Sequence, residues 1–189
     1  MFDLLLDSIL SSNIALTFIL GMCPLIAIST SVKNARGMGI AVVLVVTITA
    51  MINWPIFQLL KQTNTEQVML LAFIITIAAT VQILEILMEK FLPQLYNAFG
   101  IYLPLITVNC VVLAVSQFFV NRDYNFVETT TFAFGSGVGW LLAIVLVASL
   151  REKLAVYGDL PKGLRGKAIV FLILGILSLA FIGFRGLSF

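Results

Sequence analysis

Cys23-Pro24-Leu25-Ile26-Ala27-Ile28-Ser29 and Cys110-Val111-Val112-Leu113-Ala114-Val115-Ser116 match in register: Cys, Ala and Ser recur at the same offsets, with aliphatic residues filling most positions between. These are the only two cysteines among 189 residues. Both stretches lie in apolar segments long enough to cross a bilayer, so the match points to an internal repeat within a membrane. Two thiols brought to equivalent places by a repeat suggest half of a metal site.

Composition agrees with the membrane setting. Hydrophobic residues make up 61% of the chain and charged residues 11%, against about 25% charged in a soluble domain. The chain lacks histidine, which excludes histidine-ligated haem, His-containing zinc sites and imidazole proton shuttles within it. Net charge is +2, and the basic residues gather in short connections, which suits anionic lipid headgroups better than nucleic acid. No basic residue precedes Lys33, so the N-terminal apolar stretch is expected to be a retained membrane segment and not a cleaved signal.

Continuous apolar runs predict an all-α integral membrane protein with six spans, about 11–31, 38–60, 68–89, 101–120, 132–150 and 168–184. Before them, Asp3 and Asp7 share one face of an expected short interfacial helix within residues 1–10. Lys33, Arg36, Lys90, Arg151, Lys153, Lys162, Arg165 and Lys167 fall on one side of such a chain, and Lys61, Arg122 and Arg185 on the other. The positive-inside rule then places both termini outside the cell. With three spans per half, the second half runs opposite to the first, a 3+3 inverted-topology repeat in a single membrane domain of residues 1–189. Its halves cover about 11–90 and 101–185. Gly37-Met38-Gly39-Ile40 and Gly135-Ser136-Gly137-Val138 open spans 2 and 5 as a second echo. The plain account of these glycines is close helix packing.

Broken helices are expected in spans 1 and 4. Gly21 and Pro24 bracket Cys23, and Pro104 and Asn109 precede Cys110; proline suits the first turn of a helix and disrupts its interior. A break at Gly21–Met22 lets Cys23 cap a new half-helix, and Cys110 does likewise. Both thiols then sit near mid-membrane beside helix N-termini, an environment that favours thiolate. Soft thiolates select iron–sulfur clusters, zinc or Cu(I). The common sites want four ligands, so two must come from another chain. A lone buried cysteine is ordinarily a small hydrophobe, and the repeat register sets this pair apart.

Other residues have two readings each. Asn109 is placed to donate to a cluster sulfur, as an outer-sphere partner, or to cap a helix. Glu85, with Gln82 and Glu89 on its face of span 3, suggests an ion path or simple interfacial placement beside Lys90. Trp54 and Tyr102 look like interface residues, and Arg122–Asp123 like a solvated turn pair.

Several motifs carry a family resemblance. Leu20-Gly21-Met22-Cys23, Leu103-Pro104-Leu105-Ile106-Thr107-Val108-Asn109-Cys110, Arg122-Asp123-Tyr124-Asn125-Phe126, Gly135-Ser136-Gly137-Val138-Gly139-Trp140, Arg151-Glu152-Lys153 and Gly163-Leu164-Arg165-Gly166 span nearly the whole chain. They resemble a family of small membrane subunits found in two respiratory complexes. These are the sodium-translocating NADH:quinone oxidoreductase (Nqr) and the Rnf ferredoxin:NAD+ oxidoreductase. Arg122-Asp123-Tyr124-Asn125-Phe126, the Trp140 motif and Asn13-Ile14-Ala15-Leu16 tilt the resemblance toward Nqr, with Rnf as the alternative, to which Pro24-Leu25 is closer.

The resemblance implies one component of a multisubunit enzyme of the bacterial cytoplasmic (inner) membrane, inactive alone. It also implies an inverted homologous partner (NqrD-like), with Cys23 and Cys110 as two of four ligands to a [2Fe–2S] cluster shared between them. That cluster is expected to relay electrons between flavin-bearing subunits, downstream of an NADH-oxidising one. The alternatives from the residues alone are an ion-conducting or transporter protein with inert cysteines, and a scaffold for cofactor-bearing neighbours.

Overall fold

The computed structural model describes residues 2–11, 13–62, 68–91, 103–157 and 167–183, and every regular element among them is helical. Tyr102, Lys162, residues 163–166 and Arg185 lie outside the described residues. In chain order the helices are α1 (Phe2–Leu6), continued by a π-helical turn (Asp7–Ser11), α2 (Ile14–Thr17), α3 (Met22–Ile28) and α4 (Val32–Gln62). Then come α5 (Met69–Phe91), α6 (Leu103–Thr107), α7 (Cys110–Asn121), α8 (Phe126–Tyr157) and α9 (Lys167–Ile182). Among the described residues three helices are long and apolar enough to cross a membrane: Val32–Gln62, Met69–Leu87 and Phe126–Val156. The apolar stretches of residues 14–28 and 103–121 are each split in two, and α9 has 16 residues.

The two long helices outrun their sequence-based bounds. Lys33 and Arg36 belong to the opening turns of α4, and Arg151 and Lys153 to the closing turns of α8, where hydropathy predicts loops. Arg151-Glu152-Lys153-Leu154-Ala155 contains only good helix formers, so nothing stops α8 at the membrane edge.

The most extensive helix–helix contact joins α4 to α8. Its register is reciprocal. A Cβ at Gly39 would lie 2.8 Å from Leu141 Cγ, and one at Gly137 would lie 3.0 Å from Val43 Cα. Farther along, Trp54 stacks edge-on against Phe126 at 5.4 Å. Residue numbers rise on one helix as they fall on the other, so α4 and α8 are antiparallel. Gly39 thus meets Leu141 and Gly137 meets Val43, a reciprocal pair of close approaches one turn apart. The seam buries Ala35, Met38, Val42, Val46 and Ala50 of α4 with Trp140, Ala143, Ile144 and Val147 of α8. In lipid such packing, and not expulsion from water, holds helices together, and glycine lets the backbones approach.

The other glycines of the triplet serve a second contact. The α1 segment and the π turn pack on α8, where a Cβ at Gly135 would collide with the Ser8 hydroxyl. One turn on, Gly139 admits Asn13, whose Nδ2 donates to Gly139 O and to Ile9 O, both at 3.0 Å. Apolar side chains of α5 (Leu70, Leu71, Ile75, Ile86) and α9 (Phe171, Ile176, Leu179) remain exposed, as lipid-facing or partner-facing rows are.

The seam makes an ordered set of substitutions. Gly137→Ala meets backbone and should lower unfolding stability in detergent by about 1–3 kcal/mol. Gly39→Ala meets only the movable Leu141 side chain and should cost less. Gly175→Ala, with nothing within 4 Å, should be silent. Thermal unfolding followed by tryptophan fluorescence checks the order.

Candidate metal centre at two helix breaks

The first break follows α2. Asn13 opens that helix from an extended backbone (φ −60°, ψ 110°), its Oδ1 accepting from Ala15 N–H at 3.0 Å and Leu16 N–H at 3.3 Å. After Thr17 the chain leaves the helix, and Ile19 (φ 54°) and Gly21 (φ 79°) adopt left-handed backbone. A β-branched residue is strained there, whereas glycine is not. Gly21 caps α3, so Cys23 is the second helical residue and not the cap expected of it. Pro24, the third, falls among the first four N–H positions of a helix, where a missing donor costs nothing.

The second break lies at Val108–Asn109, four residues past Pro104, which instead falls in the first turn of α6. Asn109 caps α7 from an extended backbone (φ −75°, ψ 116°), and its Oδ1 accepts from Val111 N–H at 3.1 Å. Cys110 is the first residue of the 12-residue α7. Asn109 is 3% exposed, and its Nδ2 is buried without a hydrogen-bond partner among the described residues. The carbonyl side of this amide is therefore committed to the cap and the donor side is free.

The breaks meet each other. A Cβ at Gly21 would lie 2.6 Å from Val111 Cγ2 and 3.1 Å from Asn109 Oδ1, the two neighbours of Cys110. It would also lie 2.6 Å from Trp140 Nε1 of α8. Trp140 is fully buried and its Nε1 has no partner among the described residues. Composition and motif do not identify Trp140 as part of the junction; its place beside Gly139 is the available signal. Around it, α2 packs on α7 and α3 on α6, so half-helices of opposite halves are paired.

Both thiols are free and exposed at the surface of the chain. Cys110 opens onto an apolar groove of about 620 Å³ lined by Leu20, Met69, Leu70, Leu113, Ala114 and Gln117. No three His, Cys, Asp or Glu side chains gather to hold a metal among the described residues. An exposed cysteine pair without further ligands fits half of a four-ligand site completed from outside, and does not fit a closed site within one chain.

The remaining expectations divide. Glu85 is half-buried on α5 while Gln82 and Glu89 are exposed, and none of them lines the Cys110 groove. Arg122 and Asp123 do not pair with each other. Asp123 accepts from Lys61 Nζ at 3.0 Å, and Arg122 lies 5.5–5.9 Å from the centroids of Phe118, Tyr124 and Phe132. Trp54 is more than an interface residue: its Nε1 donates to Tyr124 O at 3.0 Å.

Comparison with known proteins adds a family. Residues 1–188 match the model of the Rnf-Nqr subunit family, described as a membrane protein. The chain is 47% identical to the E component of the Na(+)-translocating NADH-quinone reductase of Maridesulfovibrio salexigens, over 98% of this chain and 97% of that protein.

The junction should be intolerant at Gly21. Gly21→Ala adds a Cβ at positive φ against Trp140 and Val111, with an expected loss of about 2–4 kcal/mol. The Trp140 emission should shift as the indole is displaced, a change absent from Gly175→Ala.

Proposed function

The chain belongs to the Rnf-Nqr family, and from that premise we propose that it is a membrane component of a bacterial ion-translocating NADH:quinone oxidoreductase, working within a multisubunit enzyme. In this reading Cys23 and Cys110 are two of four ligands to a [2Fe–2S] cluster, the others coming from an inverted homologous partner. Sodium is the ion expected from the relative's description. One observation carries the reading. The only two cysteines of the chain flank a single junction, where Gly21 packs on both neighbours of Cys110, and both thiols face outward.

The proposed architecture is six crossings in a 3+3 inverted repeat, with both termini outside the cytoplasm. Reciprocal packing of Gly39 on Leu141 and of Gly137 against Val43 supports the repeat. Its sidedness is supported by two contacts between connections. Ser29, before α4, meets Arg151 near the end of α8, while Lys61, at the end of α4, meets Asp123, after α7. The first pair falls on the side read as cytoplasmic and the second on the opposite side.

Bound between the thiolates, the cluster supplies one-electron redox chemistry at a depth that aqueous carriers do not reach. The chain's own residues prepare that place. Gly21 and Asn109 supply irregular backbone where protein covers it, the condition for such backbone inside a membrane. Leu20, Leu113 and Ala114 beside Cys110 make the groove largely apolar. Asn109, its Oδ1 spent on the cap, retains Nδ2–H as a donor able to raise the potential of a sulfur-ligated centre. Glu85 stands as the candidate for an ion path in this chain.

Iron and acid-labile sulfide on the purified complex, with EPR after reduction, test the reading in wild type, Cys23→Ser and Cys110→Ser. Loss of iron, sulfide and the [2Fe–2S] signal in both variants is expected. Full retention in either would remove that cysteine as a ligand and favour a transporter or scaffold role. Transport lost with iron intact in Glu85→Gln would locate the ion path.

A further inference from the structure

The half-helices that begin near the two cysteines are held at their far ends by residues of the opposite half. In α3 the last four carbonyls have no intrahelical donor. Ser29 N–H takes Leu25 O at 3.2 Å. Arg151, reaching across from α8, takes the next: its Nη1 donates to Ile26 O at 3.2 Å and to Ser29 Oγ at 3.0 Å. Ser29 is fully buried and Arg151 partly so. A seven-residue helix cannot sustain itself, so its end contacts decide where it lies. A cation on its terminal carbonyls is the favourable partner.

The other half has the corresponding arrangement in different chemistry. The turn after α7 carries Asp123 at φ 49° and returns Tyr124 N–H to Phe119 O at 3.2 Å. Trp54 of α4 fastens that turn, donating from Nε1 to Tyr124 O at 3.0 Å with its ring edge-on to Phe126. Lys61 and Asp123 add an exposed ion pair of little worth beside it. Each brace thus crosses from the long helix of one half to the cysteine-bearing half-helix of the other.

We infer that Arg151 and Trp54 are positioning residues that cross-brace the two cysteine half-helices, Arg151 fixing α3 and Cys23, and Trp54 fixing α7 and Cys110. Neither touches a thiol; each acts through about three to fourteen residues of intervening chain, roughly one to four helical turns. A shift of α4 along α8 would move both cysteines through these braces. The value of the braces to electron transfer rests on the ligand role proposed above, whereas their mechanical action does not.

The test labels one exposed thiol at a time with a nitroxide. Cys23 is labelled in Cys110→Ser and Cys110 in Cys23→Ser, using the full chain in lipid vesicles without metal. Arg151→Gln should raise the mobile spectral fraction at Cys23 about tenfold, the factor for one lost charge-assisted hydrogen bond, and leave Cys110 unchanged. Arg151→Lys should recover part of the loss. Trp54→Phe should do the converse, loosening Cys110 about threefold, as a neutral hydrogen bond warrants, and sparing Cys23.

Ser29→Ala removes one of the two acceptors without altering α8, and serves if Arg151→Gln does not fold. It should loosen Cys23 selectively. Equal loosening at both thiols, or none at either, would overturn the inference and leave these residues as general stabilisers. Iron missing from the wild-type complex alongside selective loosening would instead sink the ligand role and keep the braces.

Discussion

Gly39 and Gly137 bring the backbones of α4 and α8 together, and that seam orders the rest of the molecule. With 31 and 32 residues, these are the longest described helices. No hydrophobic effect between helices assembles them within a bilayer, so contact depends on shape. A side chain at Gly137 would press on the α4 backbone at Val43 and push the axes apart. Gly135 and Gly139 lie on another face of the same helix and dock the N-terminal segment through Ser8 and Asn13. One glycine triplet therefore positions both the opposite long helix and the chain that leads into the first break.

Breaking a helix within a membrane leaves backbone groups that lipid cannot satisfy. Two asparagines meet this demand. Asn13 gives both amide ends to backbone, accepting from Ala15 and Leu16 and donating to Ile9 and Gly139. Asn109 gives only its carbonyl and leaves a buried donor next to Cys110. The difference is chemical: the first asparagine is purely architectural, and the second has capacity left for a ligand. Exposed thiols on the same junction place that capacity at a surface another chain can cover. On the ligand role proposed above, assembly and cofactor binding become one event, because two cysteines do not by themselves satisfy four-fold coordination.

Much of this is legible in local signals. Gly21 and Pro24 announce the first break because only glycine accepts φ 79° cheaply, and proline fits only the opening turn of a helix. Asn109 announces the second, whereas Pro104, equally suited by residue type, sits in the first turn of the preceding helix. Helix lengths are underestimated where charged helix formers, Lys33 and Arg36 in α4 and Arg151 in α8, read as loop residues by hydropathy. Hydropathy records lipid exposure, and a helix continues past the bilayer for as long as its residues favour helix.

What sequence alone determined is the membrane class, the paired cysteine segments, the breaks and the glycine faces, because each depends on residues within one or two turns of one another. Tertiary structure decided that Gly21 rests on Asn109, Val111 and Trp140. It also decided that Asn13 reaches Gly139, that Arg151 reaches Ile26 and Ser29, and that both thiols face outward. These partners lie about 90 to 130 residues apart. Their meeting follows from the antiparallel register of α4 and α8, and a register between helices is a property of packed surfaces that no single segment encodes.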